Sequence, residues 1–584
     1  MKEPYPLRLC CCVKYCAKMS IFAPLKNDKQ MNIAIKTISL ALLTSTLQLS
    51  IAQEKYPYPM DIPVSISASF AELRANHFHA GLDMSTKGVV GVEVHAVADG
   101  YVSRIKVSPY GYGHALYISH PDGHTTLYAH LSAYSDKIAQ VATAEQYRQK
   151  SFEIDLTLVP NKLPVSKGEV VALSGNTGGS GGPHLHFEVR DTKTEEALNP
   201  LAFLVPIADS QAPTVYGIKL YALADDAQVA GKTSNRYFSL AEIEGKTINV
   251  CGNIGVGVHA VDYFVANQRP CGVVEIKLFD NNNLIFNSVL DSISFDDTRY
   301  INSHIDYAEQ VLSKRYVQRS FVEPNNKLPV YKCAKQLNIS DGETHSMRYE
   351  LTDFNGNKRV VNFTLQGKRT NASARQHTGY FIDYARTWAL DTLGFSVVVP
   401  HDALYSSTYA DVIVTDISND DHIYRIGTDQ TPLHKPMTLT LPVPQNLLSL
   451  GSRLFVAQVG QKSKLTYIAS TLSGNQLTAH PRTLGAFTIA SDTIPPKVIS
   501  KNSRTNLKQI NNIMIGISDN MSGIKKYNVS IDGEWKCFEY DYKNARLISK
   551  VSALGLEAGS HNLEAVIEDE CGNQTRWQWT FTVE

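Results

Sequence analysis

Short runs of period-two alternation, closely spaced turn signals and a weak internal repeat predict a mainly β protein. Tyr101–Val107 and Phe152–Leu158 alternate as half-buried strands do, and Asp99-Gly100, Gly111-Tyr112-Gly113 and Pro121-Asp122-Gly123 punctuate the first such region with turns. Only residues 133–150 have a helical pattern there. The fold expected is an antiparallel β-sheet domain with a small helical insertion, followed by immunoglobulin-like β-sandwich modules.

Length and composition suit several globular domains. The chain has 584 residues, 43% of them hydrophobic and 19% charged, with 56 basic and 56 acidic groups balancing to zero. This excludes a disordered polyelectrolyte, a collagen-like fibre and a polytopic membrane protein. With no basic excess, nucleic acid is not an expected partner.

The elements follow in order. From Met31, Lys36 supplies a positive n-region, Ile38–Leu49 an apolar core and Ser50-Ile51-Ala52 a small-x-small cleavage site before Gln53. Residues 31–52 therefore read as a signal peptide and residues 1–30 as a mis-called extension, so that the mature chain is exported without a membrane span. The apolar core is too short, and too rich in Ser and Thr, to be one. Export leaves Cys251, Cys271, Cys333, Cys537 and Cys571, enough for two disulfides and one free thiol.

Residues 54–206 form the first domain. Beyond it, a segment from Asp209 and Pro213 to Asp353-Phe354-Asn355-Gly356-Asn357 is echoed from Asp492 and Pro495 to Asp569-Glu570-Cys571-Gly572-Asn573. Strands at this spacing suggest sandwich modules at 207–368 and 491–584, with a third strand-rich block at 369–490 between them. No titratable groups stand at ligand spacing beyond residue 207, so no catalysis is expected there. Modules of this kind position an enzyme or bind wall or envelope proteins.

Chemistry concentrates in five residues: His79 and Asp83 in His79-Ala80-Gly81-Leu82-Asp83, His130 in Tyr128-Ala129-His130-Leu131, and His184 and His186 in His184-Leu185-His186. If each pair lies on a strand, its members share one face, and side-chain-free Gly81 leaves a gap against which a metal could sit. Two His and one carboxylate make a three-ligand zinc site with an open fourth position for water. The two spare imidazoles could then move a proton or stabilise an oxyanion. Strand spacing alone allows either His184 or His186 as the ligand. An isolated His in a loop is more often a surface group, and the chain has 18 His. The ordered set of five is what points to a site.

Together with Phe70-Ala71-Glu72-Leu73-Arg74, Ala96-Val97-Ala98-Asp99-Gly100, Lys167-Gly168-Glu169 and Gly182-Pro183-His184-Leu185-His186-Phe187-Glu188-Val189, these motifs resemble the lysostaphin/LytM-type zinc endopeptidases of bacterial cell walls, over about residues 65–205. The resemblance implies that His79, Asp83 and His186 bind one zinc ion and that His130 and His184 are catalytic. It also implies peptidoglycan cross-links or stem peptides as substrate. The alternative is a non-catalytic wall-binding scaffold or an activator of another hydrolase. The stretch from His130 to Lys167 is about twice as long as is usual in that family, and its insertion (133–160) is expected to wall the substrate groove.

Other signals carry less. Gly178-Gly179-Ser180-Gly181-Gly182 satisfies the G-x-S-x-G pattern, but Pro183 and a strand follow where a nucleophile elbow needs a helix. His77 lies six residues from Asp83 rather than four.

Overall fold

The computed structural model describes residues 54–264, 269–392, 394–416, 422–502, 505–507 and 511–583. The expected signal peptide (31–52) and the expected extension (1–30) lie outside the described residues. Among the described residues no helix is long and apolar enough to cross a membrane. The chain is mainly β, as its alternation predicts.

The first domain is built on an antiparallel sheet. Its strands are β1 (Ile66–Ala68), β2 (Leu82–Ser85), β3 (Gly100–Val107), β4 (His114–Ser119), β5 (His124–Ala129), β6 (Ile154–Thr157) and β7 (His184–Asp191). They follow the order β1-β2-β7-β5-β4-β3-β6. The sole α-helix described before residue 207 is α1 (Asp136–Gln149), inside the segment expected to be helical.

Central strand β7 is buried on both faces. Leu185, Phe187 and Val189 are fully buried on one, and the Phe187 ring packs edge-on against Tyr128 with centroids 5.4 Å apart. Burying a side chain of that size contributes about 1.5–3 kcal/mol. The other face carries His184, His186, Glu188 and Arg190, which are too polar to be buried without partners.

In the second block β8 (Thr214–Ala222) pairs with the C-terminal part of the long strand β9 (Thr247–Val261). The N-terminal part of β9 pairs instead with β11 (Lys358–Gly367), the partner of β10 (Thr344–Thr352). Gly252, at φ 88°, lies between the two parts, where β9 passes from one layer to the other. The two layers enclose a single apolar core that includes Ile218, Val258, Tyr349 and Leu365.

The third block packs two five-stranded sheets around Phe395, Leu439, Val456 and Phe487. The fourth packs two four-stranded sheets around Ile515, Val529, Leu547 and Phe581. All five described cysteines are free, so the permitted disulfides do not form.

The first and second blocks share a further core. Phe70, Phe78, Ala80 and Ala197 pack with Leu290, Ile293, Tyr300 and Ile301. Ala197-Leu198 also pairs with Ser292-Ile293.

Candidate metal centre

Strand register assembles the centre. His186 on β7 stands directly opposite Asp83 on β2 and Ala129 on β5. His130 follows β5 at φ 60°, a left-handed conformation that few non-glycine residues adopt.

His79 and Asp83 do not share one strand, as alternation had suggested. His79 and Gly81 lie in an irregular connection before β2. Gly81 leaves no gap for a metal either. A Cβ there would meet the Phe187 carbonyl oxygen at 2.5 Å and the Glu188 Cγ at 2.8 Å. Glycine is required because this turn presses against β7.

Three donor atoms converge. His79 Nε2 lies 3.0 Å from both Asp83 Oδ1 and His186 Nδ1, and His186 Nδ1 lies 2.8 Å from Asp83 Oδ1. Tetrahedral zinc with bonds of about 2.0–2.1 Å has ligand–ligand edges of roughly 3.3 Å, so the donor set fits such an ion with slight expansion. The opposite ring nitrogens are already held. His79 Nδ1 donates to the Ser69 carbonyl at 2.7 Å, and His186 Nε2 donates to the Glu188 carboxylate at 2.8 Å. Holding the far nitrogen of each imidazole in this way fixes its tautomer and ring orientation.

His130 and His184 flank the triangle. His130 Nδ1 donates to the Thr177 carbonyl and His184 Nδ1 to the Gly182 carbonyl, each at 2.8 Å. Each ring therefore keeps its Nε2 lone pair. His184 Nε2 is buried without a hydrogen-bond partner, 3.4 Å from Asp83 Oδ1. The two rings are 4.8 Å apart.

Electrostatics follow from burial and pairing. Burial acts to raise the Asp83 carboxyl, but His79, His184 and His186 overcome it and hold it well below the usual range. Burial also opposes charge on His186, yet hydrogen bonds to Asp83 and Glu188 push it up to about 9. His130 is driven down to about 3 by burial and by the neighbouring His186 and His184, so it stays neutral.

The supporting roles of Glu188, Arg190 and Arg74 escaped the sequence reading. Glu188 is fully buried between His186 and Arg190 and also accepts from the Tyr112 hydroxyl. Arg74 donates to Asp83 Oδ2 at 3.1 Å. The period-two alternation that places His184 with His186 continues to Glu188 and Arg190, so β7 carried that signal in plain sight.

The centre opens into a cavity of about 760 Å³ lined by Glu72, Arg74, Lys87, the 179–183 glycine-rich loop, Arg269 and Pro270. Helix α1 does not line it. The insertion instead faces the last block, where Tyr147 packs edge-on against Trp535 with ring centroids 5.2 Å apart. The outer wall comes from the second block, through Arg269 and Pro270. Lys543 of the last block donates to the carbonyls of Asn176 and Ser180, in and beside the glycine-rich loop.

A further correction lies outside this centre. Beyond residue 207, Asp209, Asp262 and Asp353 bring carboxylate oxygens within 4.8 Å of one another, and so do Asp492, Asp519 and Asp569. Sequence spacing did not reveal either group.

Comparison with known proteins agrees with these motifs. Residues 77–147 and 133–200 match peptidase family M23, and residues 379–492 match the Zu5-like domain. DD-carboxypeptidase/endopeptidase Mpg of Neisseria meningitidis serogroup B is 30% identical over 172 residues, covering 30% of this chain and 31% of that protein. Peptidoglycan DD-endopeptidase ShyA of Vibrio cholerae is 31% identical over 159 residues, covering 26% of this chain and 31% of that one. The solved catalytic domain of lysostaphin from Staphylococcus simulans is 24% identical, covers 24% of this chain and 91% of that one, and superposes at a TM-score of 0.19. The chain spans about a third of the length of the curated relatives it matches. Their similarity supports a cell-wall peptidase. Residues 77–200 are thus similar to peptidase family M23, and lysostaphin of Staphylococcus staphylolyticus is 28% identical over 151 residues.

Proposed function

We propose that the chain is an exported zinc metalloendopeptidase that hydrolyses peptide bonds in peptidoglycan cross-links or stem peptides. One observation carries the reading. His79 Nε2, Asp83 Oδ1 and His186 Nδ1 converge within 3.0 Å of one another, beside two imidazoles whose Nε2 atoms remain available.

In this reading His79, Asp83 and His186 hold the ion, and Arg74 and Glu188 orient Asp83 and His186. A zinc ion bound there supplies Lewis-acid polarisation of a carbonyl and lowers the pKa of water. His130, neutral and anchored to the Thr177 carbonyl, accepts a proton at Nε2. His184, anchored to the Gly182 carbonyl through Nδ1, steadies charge on the substrate oxygen once its Nε2 has taken up a proton and become a donor. The cavity beside them is polar, as a peptide with free carboxylates and amines requires. Lys87 and Arg269 favour acidic groups within it.

Mass spectrometry of sacculi and defined muropeptides incubated with residues 53–584, with and without chelator, tests the proposal. Chelator-sensitive cleavage of at least one stem or cross-link type is expected. No such cleavage on any type would favour a wall-binding scaffold or an activator of another hydrolase.

A further inference from the structure

The two aspartate groups beyond residue 207 occupy matching places in the repeat. Asp209 and Asp492 lie in the segments leading into their modules, before β8 and before β12 (Lys497–Ser500). Asp262 follows β9, and Asp519 follows β13 (Asn512–Ser518). Asp353 opens the turn between β10 and β11, and Asp569 closes β14 (Gly559–Asp569) ahead of the last strand.

An asparagine completes each set in the same way. Asn357 Nδ2 donates to Asp353 Oδ2 at 2.7 Å and to the Asp209 carbonyl at 3.3 Å. Asn573 Nδ2 donates to Asp569 Oδ2 at 2.8 Å and to the Asp492 carbonyl at 2.9 Å.

These groups lack the neutralisation that the metal centre of the first domain enjoys. Asp83 has Arg74, and Glu188 has Arg190. The side-chain hydrogen bonds described for Asp209, Asp353, Asp492, Asp519 and Asp569 come from backbone amides, asparagine amides and the Ser522 hydroxyl, all uncharged.

One oxygen in each set is left over. Asp262 is 3% exposed, and its Oδ1 is buried with no hydrogen-bond partner; Asp519 is half-buried, and its Oδ1 is shielded from solvent and unpartnered. An unpaired carboxylate oxygen in the interior costs free energy unless something binds it. Burial and the facing Asp353 and Asp209 carboxylates push the Asp262 carboxyl up to about 7. The same arrangement recurs at the same place in both copies of the repeat.

Donor chemistry selects the ligand. Every side-chain donor is a carboxylate oxygen, with no imidazole or thiolate among the three in either set. Such sites suit hard divalent cations and not zinc. Three carboxylates on loops, supplemented by carbonyls and water, match the larger and more flexible calcium shell better than the small octahedral one of magnesium.

We propose that Asp209, Asp262 and Asp353 form a calcium site at the start of the second block, and that Asp492, Asp519 and Asp569 form its counterpart at the start of the last block. The inference is independent of the peptidase reading. Each ion would cross-link a linker to two strand ends and so fix the angle at which one module leaves the next. The first site also bears on the groove. Asp262 exchanges backbone hydrogen bonds with Cys271, and Gly272 N–H donates to Ser69 Oγ at 2.8 Å, on the residue whose carbonyl holds His79.

Equilibrium dialysis of the zinc-loaded full chain against calcium alone, with a parallel magnesium arm, tests the proposal. The expected result is one calcium ion per aspartate set, with dissociation constants on the order of 10⁻⁴–10⁻³ M, as in extracellular modules, and a calcium-dependent rise in melting temperature. Asp262→Asn should remove one ion and Asp519→Asn the other, with zinc content unchanged. Failure to bind calcium at about tenfold above that range, a preference for magnesium, or wild-type stoichiometry in the double variant would each overturn it. If a variant does not fold, the wild-type ion count and melting shift still decide.

Discussion

The His79–Asp83–His186 centre and the two aspartate sets gather carboxylates in opposite ways. In the first domain each buried acid has its own cation: Arg74 for Asp83, and Arg190 for Glu188. In the modules the acids face one another, held by neutral amides. The first arrangement is poised before any ion arrives, whereas the second is balanced only when one does. Under the proposed functions, the catalytic site is kept rigid by its own side chains, and the sites that join modules leave their rigidity to a ligand.

The comparison can be broken or sharpened by substitution. The largest effect is expected at the donor triangle. Alanine at His79, Asp83 or His186 should abolish both zinc content, measured by metal analysis, and muropeptide cleavage. Alanine at His130 or His184 should leave zinc bound and lower turnover about 10²–10⁴-fold, the usual scale of a positioned acid–base group. If His184→Ala loses zinc while His186→Ala keeps it, the roles of the two are exchanged.

Next comes the support beneath the triangle. Glu188→Gln removes the acceptor that orients His186, and competition against a chelator should show zinc affinity about 10–100-fold weaker. The smallest effect carries the opposite sign. In calcium-free buffer Asp262→Asn removes a buried acid that no cation neutralises, so thermal melting should show a gain of about 1–3 kcal/mol or less. A loss of stability there would mean that Asp262 is satisfied without an ion, and the contrast with Asp83 would fail.

How much of this was legible in the sequence depended on how far apart the partners lie. The five residues of the first domain come in short motifs, and period-two alternation accounts for His184 and His186 on one face. The same alternation reached Glu188 and Arg190, but only strand β7 in its place shows that their face is buried. Gly81 was legible as a special position for the wrong reason, because a missing side chain reads equally as a gap and as a close contact. The insertion after His130 was found as a helix but assigned to the wrong neighbour, since a helical pattern does not say which surface it meets. Asp209, Asp262 and Asp353 are scattered over separate elements. Two members of that set and of its repeat were noticed as landmarks, but their convergence is made by the sandwich and not by spacing.

Lys543 gives the chain a temporal consequence. The ribosome delivers the last metal-centre residue, His186, long before it delivers the lysine that holds the Asn176 and Ser180 carbonyls. Arg269 and Pro270 also arrive after the triangle they border. A nascent chain therefore possesses its donor triangle well before the cavity beside it is complete, and this region matures from the inside outward as the later blocks are made.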